Sequence, residues 1–134
     1  MRALILCLAA LSACAAPPPS WTFEGEEILS NAGAWAVRWR SSPEEVPLNE
    51  PFVIEAQVIP MRGASLPEQL PLEVDAAMPQ HRHGMIRLPR MIALGGGLFR
   101  AEGMLFHMEG SWELYFDITE KELTERGQTE VFLE

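Results

Sequence analysis

Apolar and polar residues alternate along most of this chain, which is the pattern of β-strands that bury one face. Residues 111–119 (SWELYFDIT) place four apolar side chains on one face, while Glu113 and Asp117 fall on the other. Residues 34–40 (AWAVRWR) and 52–60 (FVIEAQVIP) repeat this alternation. Because a helix would repeat its apolar residues about every 3.6 positions, the chain is predicted to be almost entirely β.

Eleven prolines and ten glycines divide the chain into short segments. Pro89 is expected to force its strand to an edge or a bulge, Gly95–Gly97 predicts a hairpin turn, and residues 118–127 are expected to form a loop with one turn. The predicted strands are 34–40, 52–60, 71–79, 84–94, 98–107, 111–119 and 128–134. About seven strands predict an immunoglobulin-like antiparallel β-sandwich. Its expected core includes Trp35, Trp39, Phe52, Trp112 and Phe116.

The N-terminus has the features of a secretory signal. Residues 1–13 combine Arg2 with a short apolar run, and LSAC (11–14) resembles the lipobox of bacterial lipoproteins. That resemblance implies that Cys14 carries the lipid and anchors the chain to a membrane. An ordinary signal peptide that happens to contain a cysteine is the alternative. Ala15 follows where lipoproteins of the inner membrane usually have aspartate, which favours the periplasmic side of the outer membrane.

A proline-rich tether is expected to follow the anchor. Residues 14–33 include AAPPPS (15–20), a stiff spacer, and one domain is predicted over residues 34–134, beginning near Ala34. Since both cysteines precede this domain, it contains no thiol and no disulfide. Without residues 1–13 the chain has 9 basic and 19 acidic residues. Such acidity argues against nucleic-acid binding and favours cationic partners or metal ions, or serves only solubility.

All three histidines lie in two short segments, MPQHRHGM (78–85) and MLFHMEG (104–110). If Gly95–Gly97 centres a hairpin, Met85 faces His107 and His83 faces Glu109 across two strands. The same pattern places His81, His83 and Met85 on one face. The spacing therefore brings three imidazoles and a thioether together at one end of the sandwich.

Imidazole suits copper and zinc, whereas a thioether is a useful ligand mainly for Cu(I). A set of His and Met without cysteine therefore favours copper over zinc. The alternative is that the histidines lie on the surface by chance and that the methionines fill gaps in the core, as we expect for Met91, Met104 and Met108.

Residues 75–85 (DAAMPQHRHGM) and 95–118 (GGGLFRAEGMLFHMEGSWELYFDI) resemble the YtkA-like domain family, and the match covers roughly residues 35–133. The resemblance implies a secreted or membrane-attached β-sandwich, similar in architecture to periplasmic copper carriers of the CopC and PCuAC kinds. It also implies ligand roles for the matching positions. These are His83, Met85, His107 and Met108, with His81 also at a motif position. Glu109 departs from the family, which tends to have proline there.

No glycine-rich phosphate loop, no recognisable Ser-His-Asp set and no cysteine nucleophile occurs in the sequence, so an enzyme and a small-molecule substrate are not expected. Two functions remain. The first is a lipid-anchored periplasmic protein that binds copper and passes it to a partner. The second is a metal-free, immunoglobulin-like interaction or accessory module of an envelope complex.

Overall fold

A computed structural model describes residues 24–61, 66–67 and 69–134 of the chain. The predicted signal, Cys14 and the first half of the predicted tether lie outside the described residues. Within them, no helix is long and apolar enough to cross a membrane. A single 3-10 turn, Pro79–His81, is the one helical element of the described part.

Nine β-strands form in the described residues. They are β1 (Glu26–Leu29), β2 (Trp35–Ser42), β3 (Phe52–Pro60), β4 (Leu72–Met78), β5 (His83–Gly84), β6 (Arg90–Gly95), β7 (Leu98–Met104), β8 (Gly110–Glu120) and β9 (Leu123–Leu133). Five of them make one sheet in the order β1-β2-β3-β7-β6, and four make a second in the order β5-β4-β8-β9. All neighbouring strands are antiparallel.

The predicted all-β antiparallel sandwich is confirmed. The order β2-β3-β7-β6 matches strands A, B, E and D of an immunoglobulin domain, and β4-β8-β9 matches strands C, F and G. In this comparison β5 adds a short strand beside β4, and β1 extends the first sheet. Since β1 begins at Glu26, the sheet starts ahead of Ala34.

The core lies between the sheets and follows the period-two pattern. On β8 the four alternate side chains from Trp112 to Ile118 have no exposed surface, and those between them are partly exposed. The predicted core aromatics are all buried, although Trp39 keeps 9% of its surface exposed. Phe106 joins them with no exposed surface. Each such side chain stabilises the fold by about 1.5–3 kcal/mol or more.

Two sequence predictions about strands are wrong. Residues 84–94 do not form one strand, because β5 ends at Gly84 in one sheet and β6 starts at Arg90 in the other. Residues 118–127 are not a loop either, since β8 and β9 form a hairpin with Glu120 opposite Leu123. Lys121 takes a positive φ of 57° there. The division of the predicted strand over 84–94 into β5 and β6 adds one strand, and β1 adds another, which gives nine strands instead of about seven.

Candidate metal centre

The β4–β5 hairpin positions His81 and His83. Pro79 begins the 3-10 turn, and Arg82 ends it in the left-handed conformation (φ 57°, ψ 38°), with its N–H donating to Pro79 O at 3.1 Å. The chain then reverses, so that His83 lies opposite Met78. The Gln80 side-chain amide donates to Ser111 O at 2.9 Å and fixes the turn to the start of β8.

The connection between β7 and β8 positions His107. Phe106 stacks on Trp112 with parallel rings 4.5 Å apart, and its carbonyl accepts a 2.7 Å hydrogen bond from Asn49 N–H. The Trp112 indole N–H then donates to Met108 O at 3.0 Å. His107 is therefore held between two residues that are both tied to Trp112.

The histidine rings approach one another over the edge of Trp112. The ring centres of His83 and His107 are 5.1 Å apart, and those of His81 and His83 are 5.9 Å apart. Both His83 and His107 meet Trp112 in an edge-on arrangement, at 5.9 and 5.4 Å. His83 and His107 are half-buried, whereas His81 is exposed.

A shared metal ion fits the spacing of His83 and His107. Two imidazoles whose nitrogens lie about 2.0–2.1 Å from one ion have ring centres about 4.5–6 Å apart. However, within the described residues no three His, Cys, Asp or Glu side chains are grouped so that they could hold a metal ion. His81 lies beside His83 and does not complete a three-ligand set with His107. The methionine thioethers, which that grouping does not include, are the other candidate ligands in the two motif segments.

His107 carries a polar atom without a partner. Its Nδ1 is buried and forms no hydrogen bond to any described residue. Buried polar atoms almost always have a hydrogen-bond partner or bind an ion, so this nitrogen needs an explanation. The Nδ1 of His83 does have a neighbour, since it lies 3.2 Å from Gly84 O.

The methionines divide into core and surface residues. Met78 and Met104 have no exposed surface, and Met91 packs against the core, as a filling role predicts. Met85 follows β5 directly, is half-buried against the core, and donates its N–H to Ala76 O at 3.1 Å. Met108, which was expected to pack, keeps 38% of its surface exposed.

The predicted pairing of the two motif segments is wrong, although His83 and His107 do meet. The hairpin around Gly95–Gly97 has the predicted register only from Arg90 opposite Glu102 to Ala93 opposite Phe99. Met85 does not pair with His107 across it, because β5 leaves that sheet and pairs with β4. His83 therefore reaches His107 from β5 of the second sheet, while His107 lies in the connection that leads from β7 to β8.

Sequence reasoning assigned Trp112 and Phe106 no part in the site. Trp112 was predicted as core, which is confirmed, but it also contacts both imidazoles and holds the β7–β8 connection. The signal for this role is its position five residues after His107, at the start of a strand. At this spacing the indole N–H can donate to a backbone carbonyl of the connection that carries the histidine, as Trp112 does to Met108 O.

No protein-family model matches the sequence, and no curated protein or solved structure is significantly similar to it. The likeness to the YtkA-like family therefore remains a prediction from two motifs. The geometry of the histidine end is the firmer basis for a function.

Proposed function

We propose that this chain is a lipid-anchored periplasmic protein that binds copper transiently and passes it to a partner. His83 and His107 supply imidazole ligands, and Met85 or Met108 supplies a thioether. The observation that carries the proposal is the 5.1 Å approach of the two rings, together with the buried, unpartnered Nδ1 of His107.

The choice of copper follows from the donor atoms. The sequence has no cysteine after Cys14, so the only sulfur available to a site in the sandwich is the thioether of methionine. Thioethers bind Cu(I) well, whereas zinc prefers thiolates, imidazoles and carboxylates. Two imidazoles with one thioether therefore favour copper over zinc.

The surroundings of the histidines suit transfer to another protein. Ile86 and Leu88, just after β5, are 70% and 78% exposed, and Met108 adds a third apolar side chain. Arg82 and Arg87 form no ion pair within the described part of the chain. Exposed apolar side chains and unpaired cations that lie close in sequence to the histidines are suited to brief docking of a copper acceptor.

The anchor and the compartment come from the sequence alone. The lipobox-like LSAC and the prolines that follow would hold the sandwich off the membrane surface. Mass spectrometry of the protein from cells would find a diacyl or triacyl modification on Cys14. Its absence would contradict the anchor but not the metal site.

Copper titration tests the site. We expect residues 20–134 to bind Cu(I) with at least about tenfold higher affinity than the H83A/H107A variant does, because two ligands are lost. The H81A variant is the matched control, since it removes the exposed histidine and should cost less affinity. Separate M85L and M108L variants identify the thioether, because leucine keeps the size but not the sulfur.

Equal and weak copper binding by the wild-type protein and H83A/H107A would overturn the proposal. The fold of each variant is checked from its melting temperature in the presence of a chelator. A variant that melts well below the others would be replaced by H83Q/H107Q, which keeps polar side chains at both positions.

The metal-free module is a second candidate, favoured by one observation. Phe106, Trp112 and the Met108 carbonyl already give the motif a structural role that needs no ion. This candidate predicts that H83A/H107A lowers the melting temperature equally with and without a chelator. Copper that raises the melting temperature of the wild-type protein only would argue against it.

A further inference from the structure

A groove opens between the two sheets, beside the end of β2 that extends past β1 and the end of β9. Its volume is about 850 Å³, within the usual range of ligand sites, and it is lined by β2, the β2–β3 connection and the end of β9. Trp39 and Leu133 are buried at its floor, while Leu48 and Phe132 are exposed at its rim. The groove thus offers apolar surface to an occupant.

The groove is strongly acidic. Among the described residues, its lining includes five carboxylates and no lysine or arginine. The five are Glu26, Glu44, Glu45, Glu130 and Glu134. None of them forms an ion pair within the described residues, although Glu26 accepts a hydrogen bond from Thr129 and Glu130 accepts one from Ser111. Uncompensated charge of one sign around a cleft attracts ligands of the opposite sign.

One wall of the groove is an open strand edge. β9 pairs with β8 from Leu123 to Leu133, and its other edge makes one bridge in the described structure, between Gly127 and Ser30. Residues Glu130–Glu134 therefore present to the groove an edge that pairs with no other described strand. An open edge of this kind is a template for an added strand, through main-chain hydrogen bonds.

The floor also carries a donor without an acceptor. The indole Nε1 of Trp39 is buried and forms no hydrogen bond within the described part of the chain, and 9% of the side chain is exposed. Such a donor is rare in a folded protein unless a bound group completes it. A carbonyl of an occupant at the floor would provide the acceptor.

We propose that this groove binds an extended basic segment of a partner protein. The segment adds as a strand to Glu130–Glu134, places lysine or arginine side chains among the five carboxylates, and rests an apolar side chain against Trp39. The inference depends on the groove alone and holds whether or not the histidine end binds copper. Its occupant is basic, because the part of the lining that the structure describes has five carboxylates and no cation that would accept an acidic segment.

A blocked peptide of alternating lysine and valine is the probe. Its lysines supply the charge, its valines favour an extended strand, and binding is followed by fluorescence anisotropy at low ionic strength. Three comparison ligands separate the contributions. They are the same peptide with N-methylated amides, which cannot donate main-chain hydrogen bonds, a glutamate–valine peptide, and spermidine.

The protein variants test where the peptide binds. E44Q/E45Q/E134Q removes three groove charges, and E73Q/E120Q/E122Q removes three charges away from the groove. We expect the first to weaken lysine–valine binding about tenfold and the second to change it less than about twofold, because each rim charge contributes up to about 1 kcal/mol. The melting temperature of each variant confirms that it is folded.

Several results would overturn the proposal. These are no binding of the lysine–valine peptide, equal weakening by both triple variants, and unchanged binding of the N-methylated peptide. If spermidine binds as tightly as the lysine–valine peptide does and depends equally on the groove carboxylates, the occupant is a small cation instead of a partner segment. If the wild-type protein dimerises and E44Q/E45Q/E134Q does not, the occupant of the groove is a second copy of this chain. Amide shifts confined to residues 130–134 in the NMR spectrum would support strand addition.

Discussion

Tyr115 shows how strongly one residue of the outer sheet face depends on its neighbours. Its hydroxyl donates a 2.5 Å hydrogen bond to Glu113, and the Arg126 guanidinium lies 4.2 Å from its ring centre. Burial of the hydroxyl, the hydrogen bond to Glu113 and the negative charge of Glu113 raise the pKa of Tyr115 to about 12, against the smaller opposing effect of Arg126. The phenolate is therefore disfavoured in the folded protein.

This pKa predicts how stability depends on alkaline pH. Tyr115 ionises near pH 10 in the unfolded chain and near pH 12 in the folded one, so its stabilising contribution is complete below pH 10 and is lost as the pH rises to about 12. Since the chain has one tyrosine, ultraviolet absorbance of the phenolate reports this residue alone. We expect a folded midpoint near 12 and a urea-denatured midpoint near 10.

Tyr115→Phe provides the control for that titration. Without the hydroxyl, the free energy of unfolding should fall less between about pH 10 and 12 than it does in the wild-type protein. Equal phenolate midpoints in the folded and denatured wild-type protein would contradict the raised pKa.

At the same scale, the residue types marked the segments that come together, but they did not predict how. The register used to bring His83 near His107 was wrong, although the two rings do lie 5.1 Å apart. The sequence did not predict that they meet over Trp112, because the contact joins β5, β8 and a connection outside any strand, and the period-two pattern describes single strands only. The buried Nδ1 of His107 is a property of packing that no local sequence contains.

Elements with one buried face were the most predictable part of the fold. The predicted strand over residues 52–60 coincides with β3, and β8 differs from its prediction by one residue at each end, since the alternation of side chains fixes both the strand and its inner face. Residues 85–89 were predicted as part of a strand because they contain apolar side chains. Ile86 and Leu88 are nevertheless exposed. The β8–β9 hairpin was missed because its turn has charged residues instead of glycine.

The β6–β7 hairpin gives a prediction at this scale, because two glycines of its turn differ in the space that a side chain would have. Gly96 and Gly97 both take positive φ, 61° and 78°. A Cβ on Gly97 would lie 2.5 Å from Val58 O, whereas a Cβ on Gly96 would meet no heavy atom of the described structure within 4 Å. Gly97 O also accepts a 2.8 Å hydrogen bond from Val58 N–H. Gly97 therefore lets the turn lie directly against β3.

We expect Gly97→Ala to lower the free energy of unfolding by about 1–3 kcal/mol more than Gly96→Ala does. Both variants bear the same kind of backbone strain, so the difference reports the clash with Val58 O together with the 3.1 Å approach to the Leu66 side chain. Urea unfolding followed by tryptophan fluorescence measures it. Equal midpoints for the two variants would show that the turn moves away from β3 without cost.

For the whole molecule, the junction between the two sheets depends on a few contacts at β1. Ser30 bridges Gly127 of β9, and the Ile28 side chain fills the space that a Cβ on Gly127 would need, at 3.1 Å. The buried Ser30 hydroxyl donates to Glu125 at 2.5 Å and accepts the Trp35 N–H at 3.1 Å. One side chain thus connects β1, β2 and β9, which belong to different sheets.

Removing that hydroxyl should weaken the whole sandwich. Ser30→Ala leaves the Trp35 N–H without its acceptor and leaves Glu125 with the Ala34 N–H as its remaining donor, so we expect a loss of about 1–3 kcal/mol in the free energy of unfolding. Ser41→Ala is the control, because Ser41 makes one exposed hydrogen bond, to Glu44 O, and should cost less than about 0.5 kcal/mol.

The shape of the unfolding curve then distinguishes two roles for the junction. If the sheets unfold together, Ser30→Ala lowers the urea midpoint and leaves the slope unchanged, since the same surface is exposed in one step. If the junction only closes a local edge, hydrogen exchange near β1 and the start of β9 increases while the midpoint stays constant. We expect the first result, because Trp35 is both the partner of Ser30 and a fully packed core residue between the sheets. A constant midpoint with faster exchange at β1 alone would contradict this expectation.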